Sequence, residues 1–200
     1  MADQFEDFRV FLPKYLSESA QQDLFAELSQ FPSNVNRSLY TDRLRAERTI
    51  FQGDGLRELP VTNLPDTRIQ NARRVMVISN SCDVNLLNRR LVGPRLLYCP
   101  IITLANYESV VASGGANIPA NHVDDVKRQR ISSLFYLPQY GHLVESVALL
   151  DRIVNYDLSA LSMDDVATSR VFTLSDYGFY LFVFKLSVHL TRIRENIGRT

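Results

Sequence analysis

Residues 75–78, Val75-Met76-Val77-Ile78, and residues 96–103, Leu96-Leu97-Tyr98-Cys99-Pro100-Ile101-Ile102-Thr103, carry the strongest strand signals in this chain. The first segment is four consecutive apolar residues, three of them β-branched, which is typical of a strand that is buried on both faces. The second segment is also strand-like and mostly apolar. Gly93-Pro94 lies between them and indicates a loop with a hairpin return. The two segments therefore predict neighbouring strands in one sheet.

Shorter segments on both sides of this pair extend the β pattern. Residues 57–61 form a strand candidate before a turn at 63–66, and residues 132–137, 143–147 and 149–154 form three more. Turn residues at 113–115 and 118–119 indicate a surface loop between the two groups. Five or more short strands separated by loops are typical of a small β-barrel, which we predict over residues 51–160.

Helical patterns flank the predicted barrel. Ser19 begins a capping-box pattern with Gln22, and apolar residues at helical spacing predict a helix over 19–30. Residues 37–50 are weakly patterned and fit either a loop or a short helix. Near the other end, Leu174-Ser175-Asp176 supplies an N-cap for a helix that reaches about residue 196. That helix is apolar on most sides, so it must pack on the barrel, on the N-terminal helix or on a second subunit.

Composition excludes some classes of function. The 200 residues carry no formal net charge, which argues against the basic excess of a protein that binds nucleic acid over its whole surface. Residues 61–110 hold six arginines and three acidic residues, so an anion-facing surface is expected there; the alternative is a set of solvated arginines at strand ends. The N-terminus has no secretory pattern, and Lys185 and His189 interrupt the longest apolar stretch. A cytoplasmic protein without a membrane span is therefore expected.

The order of these signals resembles the MazF/PemK family of bacterial toxins, which are compact SH3-like barrels that cleave RNA. In that family a Gly-Asp pair precedes a Val-rich strand headed by an arginine and ending in Ser. An apolar strand with a Pro-Ile-Thr ending follows, and then Leu-Pro, Gly and a Ser-Val strand that ends in Asp. The matching segments here, within residues 51–160, are Gly53-Asp54, Arg73 to Ser79, Pro100 to Thr103, Leu137-Pro138, Gly141 and Ser146 to Asp151.

The resemblance refines the expected fold and assembly. It implies a mainly β protein with flanking helices, in which an SH3-like small β-barrel occupies residues 51–160. Residues 1–50 would be an N-terminal helical or extended appendage, and residues 165–200 a long C-terminal helix packed on the barrel or on a partner. The resembled toxins are homodimers, so a homodimer is expected here as well.

The resemblance also implies a chemistry. In the family, the RNA 2′-hydroxyl attacks the phosphate without a metal, while cationic and hydroxyl groups stabilise charge and protonate the leaving oxygen. No cofactor is implied. The residues carried over are Arg73 and Thr103 as the catalytic pair, with Arg74 in the place of the family's proline. Arg74 and, from the basic central segment, Arg89 and Arg90 are the candidate RNA-binding residues. One position departs from the family pattern: Ile102 stands where the family has its threonine, and Thr103 comes one residue later. A shift of one residue along a strand turns the side chain to the opposite face. The competing hypothesis is a non-catalytic module that binds a protein in a defence or toxin–antitoxin complex.

A second candidate site is the polar segment after the first buried strand, Ser79-Asn80-Ser81-Cys82-Asp83. Strand ends of this kind often present functional groups. Cys82 is a candidate nucleophile that a histidine would activate, with Asp83 as the orienting group. The competing interpretation, which we favour, makes Cys82 a small buried apolar residue and Asp83 the cap of a turn. Cys82 and Cys99 lack the spacing of a metal-ligand pair, so no metal is expected.

Overall fold

The computed structural model describes residues 17–63, 65–85, 87–88, 91–114, 119–162 and 166–191. Within these residues no helix has the length and apolar character needed to cross a membrane. The helices are α1 (Glu18–Ser29), α2 (Val35–Ser38), α3 (Leu104–Ser113), α4 (His122–Lys127), α5 (Val166–Ser169) and α6 (Asp176–Thr191), with a 3-10 turn at Leu158–Ala160. The strands are β1 (Tyr40–Thr41), β2 (Gly55–Asn63), β3 (Asp66–Val77), β4 (Arg95–Thr103), β5 (Leu134–Leu137), β6 (Ser146–Leu149), β7 (Val154–Asp157) and β8 (Arg170–Leu174).

The eight strands form one antiparallel sheet, and this confirms the mainly β class. The strand order is β1-β8-β2-β3-β4-β6-β5, with β1 and β5 at the two edges of an open arrangement. Strand β4 has a different partner along each half, because β7 pairs with its first residues and β6 with its last three. Two of the strands, β1 and β8, lie outside residues 51–160, so the sheet extends beyond the segment in which we predicted the barrel.

Strand β3 separates two apolar clusters, which confirms the prediction of a strand buried on both faces. Val75 and Val77 belong to the smaller cluster, whereas Met76 and Ile78 belong to the larger one. The larger cluster packs the helices against the other side of the sheet. The small cluster consists of Ile50, Leu56, Leu59, Val61, Val75, Val77, Val84, Leu96, Tyr98, Leu158 and Val166.

The β2–β3 ribbon rotates about its long axis near its middle, so that its two halves present opposite strand faces to the small cluster. The cross-strand pairs Leu56–Val75 and Leu59–Ala72 both contact the small cluster although they are three residue steps apart. In a regular strand only residues an even number of steps apart share a face, so the ribbon must rotate between these pairs. Glu58 has a φ of 58°, a left-handed conformation that is uncommon outside glycine, and it lies within this bend.

The bend folds the outer half of the ribbon back over the small cluster. Tyr98 on β4 is buried, and its hydroxyl donates a hydrogen bond to the carbonyl oxygen of Pro60 on β2. Strands β2 and β4 are not neighbours in the sheet, so this bond crosses the apolar cluster between them. The sheet is therefore strongly curved around the small cluster.

The flanking helices differ in detail from the sequence predictions. Helix α1 begins at Glu18, and the side chain of Ser17, not Ser19, accepts a hydrogen bond from the Ala20 N–H at 3.2 Å. The predicted cap of the C-terminal helix is confirmed, since Ser175 Oγ accepts from the Gly178 N–H at 3.0 Å. Residues 192–196, to which that helix was extended, lie outside the described residues.

Two predictions from the middle of the chain are wrong. The strands predicted at 143–147 and 149–154 are instead Ser146–Leu149 and Val154–Asp157. A turn intervenes, closed by the Arg152 N–H donating to the Leu149 carbonyl at 3.0 Å, and apolar periodicity alone does not reveal it. Helix α3 was not predicted at all, because its apolar residues follow β4 without a glycine or proline to separate the two elements.

Candidate functional site

Three arginines meet where the β2–β3 ribbon bends. Arg57 and Arg74 are directly opposite each other in the β2–β3 register, and Arg73 is next along β3. Arg57 and Arg73 are exposed, whereas Arg74 is half-buried. The Arg74 guanidinium donates one hydrogen bond, from Nη2 to the carbonyl oxygen of His142 at 3.1 Å. We call Arg57, Arg73 and Arg74 the arginine corner.

The arginine corner has an excess of positive charge. Among the described residues, no carboxylate lies within 4.0 Å of any of its three guanidinium groups. Like charges on directly opposed residues of a sheet destabilise it. An anion bound between Arg57 and Arg74 would remove that repulsion, and a phosphate group has the charge and the geometry to accept from two guanidinium groups.

Thr103 lies at the junction of β4 and α3. Its hydroxyl oxygen caps the helix by accepting a hydrogen bond from the Asn106 N–H at 3.1 Å. Its backbone pairs with Ser146, and Arg74 contacts His142 in the segment just before that residue. The structure therefore brings Arg74 and Thr103 to the same segment, residues 142–146. No described contact links Arg73 to Thr103.

The register of β4 does not compensate for the one-residue offset between Ile102 and Thr103 that the sequence shows. Ile102 precedes Thr103, and β4 pairs with β6 from Ile101 to Thr103 without a register shift. No bulge at this point moves Thr103 into the place of Ile102. Ile102 packs on the large apolar cluster instead of presenting a hydroxyl group.

Glu145, an ionised carboxylate, precedes Ser146, the residue that pairs with Thr103. The Glu145 side chain accepts hydrogen bonds from the Tyr136 hydroxyl and from Lys127 Nζ at 2.9 Å. These donors lower the pKa of Glu145, whereas burial and the bond to Glu145 raise the pKa of Tyr136. The Glu145 carbonyl oxygen also accepts from the Leu104 N–H at 2.8 Å, which ties this group to the first turn of α3.

The polar segment after β3 has a structural role. Ser79 is only 6% exposed, and its hydroxyl accepts from the Leu97 N–H at 2.7 Å and donates to the Arg95 carbonyl at 3.3 Å. These bonds continue the β3–β4 pairing past the last regular residue of β3. The Asn80 side chain accepts from the Cys82 N–H at 2.9 Å, and this closes a turn in which the side chain replaces a backbone group.

The two cysteines have different environments. The favoured interpretation of Cys82 as a buried residue is wrong, because it is exposed on this turn, while Cys99 is fully buried. Burial raises the pKa of the Cys99 thiol. Asp83 lies in the same turn as Cys82, and its N–H donates to the Asn80 carbonyl at 2.9 Å. The predicted RNA-binding residues Arg89 and Arg90 lie outside the described residues.

The Gly53-Asp54 pair anchors the start of β2. Asp54 is fully buried, and its Oδ2 accepts from the Phe51 N–H at 2.9 Å and from Arg170 Nε at 3.1 Å. Burial raises the pKa of Asp54, and the Arg170 guanidinium opposes that rise. The Asp54 carbonyl accepts from the Val77 N–H, so the motif continues the pairing of β2 with β3. Asp54 is therefore a structural residue.

An open cleft of about 640 Å³ lies at the far end of the ribbon. Asn155, one of its lining residues, accepts a hydrogen bond at Oδ1 from Arg95 Nε at 2.6 Å. Sequence reasoning missed this cleft because its walls are almost 90 positions apart, although Asp151-Arg152 after an apolar run is a polar signal. The cleft is lined by Thr62, Asn63, Asp151, Arg152, Ile153, Val154 and Asn155.

Comparison with known proteins identifies no relative of this chain. No protein-family model matches this chain, and no significant match is found among curated proteins. Within the part of the chain that the structure describes, no three His, Cys, Asp or Glu side chains form a group that would hold a metal ion. The arginine corner, Thr103 and the polar cleft are thus the features from which a function can be argued.

Proposed function

We propose that this protein acts on RNA, and that its curved sheet is an SH3-like barrel of the MazF/PemK type. The observation that carries the proposal is the arginine corner, in which Arg57 and Arg74 oppose each other without a carboxylate partner among the described residues. A sheet tolerates this repulsion at a cost, and an RNA phosphate would relieve it. The neighbouring Arg73 would contact the same phosphate.

The curvature of the sheet supports the barrel part of the proposal. The ribbon bends at the arginine corner and returns across the small apolar cluster, as the bond from Tyr98 to Pro60 requires. A strongly bent ribbon is the usual way in which a short antiparallel sheet closes on itself. Arg57 and Arg73 are exposed at this bend.

The proposed reaction is metal-independent cleavage, in which the RNA 2′-hydroxyl attacks the adjacent phosphate, forms a 2′,3′-cyclic phosphate and breaks the bond to the 5′-oxygen of the next nucleotide. The proton of the 2′-hydroxyl passes to water, and the leaving 5′-oxygen takes a proton from water. Arg73 and Arg74 stabilise the negative charge that develops on the phosphate oxygens. Thr103 Oγ1 accepts from the helix, so its hydroxyl hydrogen remains available for a phosphate oxygen. The cleft beyond the ribbon offers amide, hydroxyl and charged groups to further nucleotides.

RNA binding is tested by charge-neutral substitution at the corner. We expect the double variant Arg57→Gln/Arg74→Gln to lose about tenfold or more in affinity for a short single-stranded RNA, measured by fluorescence anisotropy. The slope of log K against log salt should become shallower by about 1.4, because two phosphate contacts are removed. Arg68→Gln is the matched control on the same ribbon, since Arg68 is already paired with Asp66 at 2.8 Å. An equal loss of RNA affinity in the double variant and in Arg68→Gln would contradict the proposal.

Cleavage is tested separately, with mixed RNA and three variants of the purified protein. Arg73→Ala should abolish cleavage. Thr103→Asn keeps an N-cap side chain but removes the hydroxyl group, and it should reduce cleavage strongly, whereas Thr103→Ser should retain it. If the native protein binds RNA but does not cleave it, the protein is an RNA-binding module. If Thr103→Asn cleaves as fast as Thr103→Ser, the proposed role of the hydroxyl group is wrong.

The homodimer expected from the resemblance is a separate proposal, and one feature of α6 favours it. Phe184 is 69% exposed, and Val188 and Leu190 are exposed on the following turns. We propose that this apolar surface joins two copies of the chain in a cytoplasmic homodimer. Phe184→Ser should shift the native protein from dimer to monomer in analytical ultracentrifugation, with Ser187→Ala as the control. A native protein that is monomeric at all concentrations would contradict the dimer.

A further inference from the structure

A buried lysine holds the C-terminal helix to the body of the protein. Lys185 lies in the middle of α6 and is 6% exposed. Its Nζ atom is 2.8 Å from the carbonyl oxygen of Gln129 and 2.8 Å from Oε1 of the same residue. Both acceptors are neutral, and no carboxylate among the described residues pairs with this amine.

Gln129 is held firmly in place to accept these bonds. It follows α4 and has a φ of 60°, a left-handed conformation that L-residues seldom adopt. Its side-chain amide bonds twice with the backbone of Tyr136 on β5, donating from Nε2 at 2.7 Å and accepting at Oε1 at 3.0 Å. The residue therefore joins three elements, α4, β5 and α6, and its strained backbone is fixed by these contacts.

The number of acceptors fits an uncharged amine. A neutral amine has two N–H groups, and Gln129 supplies two acceptors. An ammonium group has a third N–H, and among the described residues no acceptor is bonded to it. A buried cation without a counter-ion is costly, so the environment favours the neutral form. Burial accordingly lowers the pKa of Lys185 to about 7.

The surrounding titratable groups do not account for this shift. Burial alone lowers the pKa of Lys185, with no contribution from a charged neighbour. The other titratable and charged groups on α6, and those on the elements that pack around α6, Gln129 and β5, are Asp23, Glu27, Arg37, His122, Asp124, Asp125, Lys127, Tyr136, Arg170, Asp176, Tyr177, Tyr180 and His189.

We propose that Lys185 and Gln129 form a pH-sensitive latch, which holds α6 against α4 and β5 while the amine is neutral and loosens when the amine gains a proton. The inference does not depend on RNA binding. The unfolded chain holds this proton up to a pH of about 10.5, whereas the folded chain releases it near pH 7. Stability should therefore rise with pH between these values and lose this contribution as the pH falls through 7.

The test compares the pH dependence of unfolding in three full-length proteins. In urea unfolding, the equilibrium constant for unfolding of the native protein should fall by up to tenfold for each pH unit from about pH 7 to pH 9, relative to that of Lys185→Met. Lys127→Met, which removes a half-exposed amine, is the control and should keep the native pH dependence. Equal pH slopes in the native protein and Lys185→Met would overturn the latch.

A second measurement does not rely on a variant. In the native protein, the Lys185 side-chain carbon next to Nζ, followed by NMR, should titrate with a midpoint near pH 7. Amide hydrogens of α6, corrected for intrinsic exchange, should be less protected at pH 6 than at pH 8.5. A Lys185 midpoint above about pH 9, or equal protection of α6 at both values, would show that no such latch operates.

Discussion

Replacing Arg170 with methionine is expected to lower the free energy of unfolding by about 3–5 kcal/mol. Arg170 is buried and donates from Nε to Asp54 and from its terminal nitrogens to carbonyl oxygens of residues 44, 45, 47 and 49. The variant would leave the Asp54 carboxylate buried without its counter-ion. It would also release the segment before β2 from five hydrogen bonds at once.

Chemical denaturation of the native protein, Arg170→Met and Arg170→Met/Asp54→Asn measures this effect. The double variant should recover part of the loss, because it contains no uncompensated buried charge. Arg68→Met is the control, since its ion pair with Asp66 is exposed and should contribute at most about 1 kcal/mol. A loss below 1 kcal/mol in Arg170→Met would mean that the pair does not hold β8 to β2.

The ion pair between Asp54 and Arg170 could not be predicted from the sequence. Gly53-Asp54 was recognised as a motif, but its partner is 116 positions further along the chain, in a segment that was predicted to contain only a helix. Local periodicity identifies a buried strand, as at residues 75–78, because burial on both faces requires continuous apolar residues. It cannot identify which distant strand supplies a counter-ion.

The arginine corner likewise depends on contacts between residues that are distant in the sequence. Arg73 and Arg74 were selected from the sequence, whereas Arg57 was not, because it becomes their neighbour only through the β2–β3 register. The bend at which these arginines lie was also not predictable, since Glu58 is not a residue that usually marks a left-handed position. By contrast, the departure at Ile102 was visible in the sequence, and the β4–β6 register retains it.

The second large effect is expected from a single methyl group at Gly178. In most helices Gly→Ala stabilises by about 1 kcal/mol. Here a Cβ atom would lie 2.1 Å from the backbone carbonyl oxygen of Leu39, which already accepts from the Ser175 N–H at 3.0 Å. Leu39 is fully buried, so its backbone has little room to move. We therefore expect Gly178→Ala to destabilise the protein by about 2–4 kcal/mol.

The sign of the effect makes this prediction decisive, because helix propensity and packing act in opposite directions. Ser187→Ala on the exposed face of α6 is the matched control, and it should be neutral or slightly stabilising. Gly178→Ala should also reduce the protection of α6 amides from hydrogen exchange, since the first turn of the helix is displaced from Leu39. If Gly178→Ala were as stable as the native protein, α6 would not pack on Leu39 as closely as the 2.1 Å approach requires.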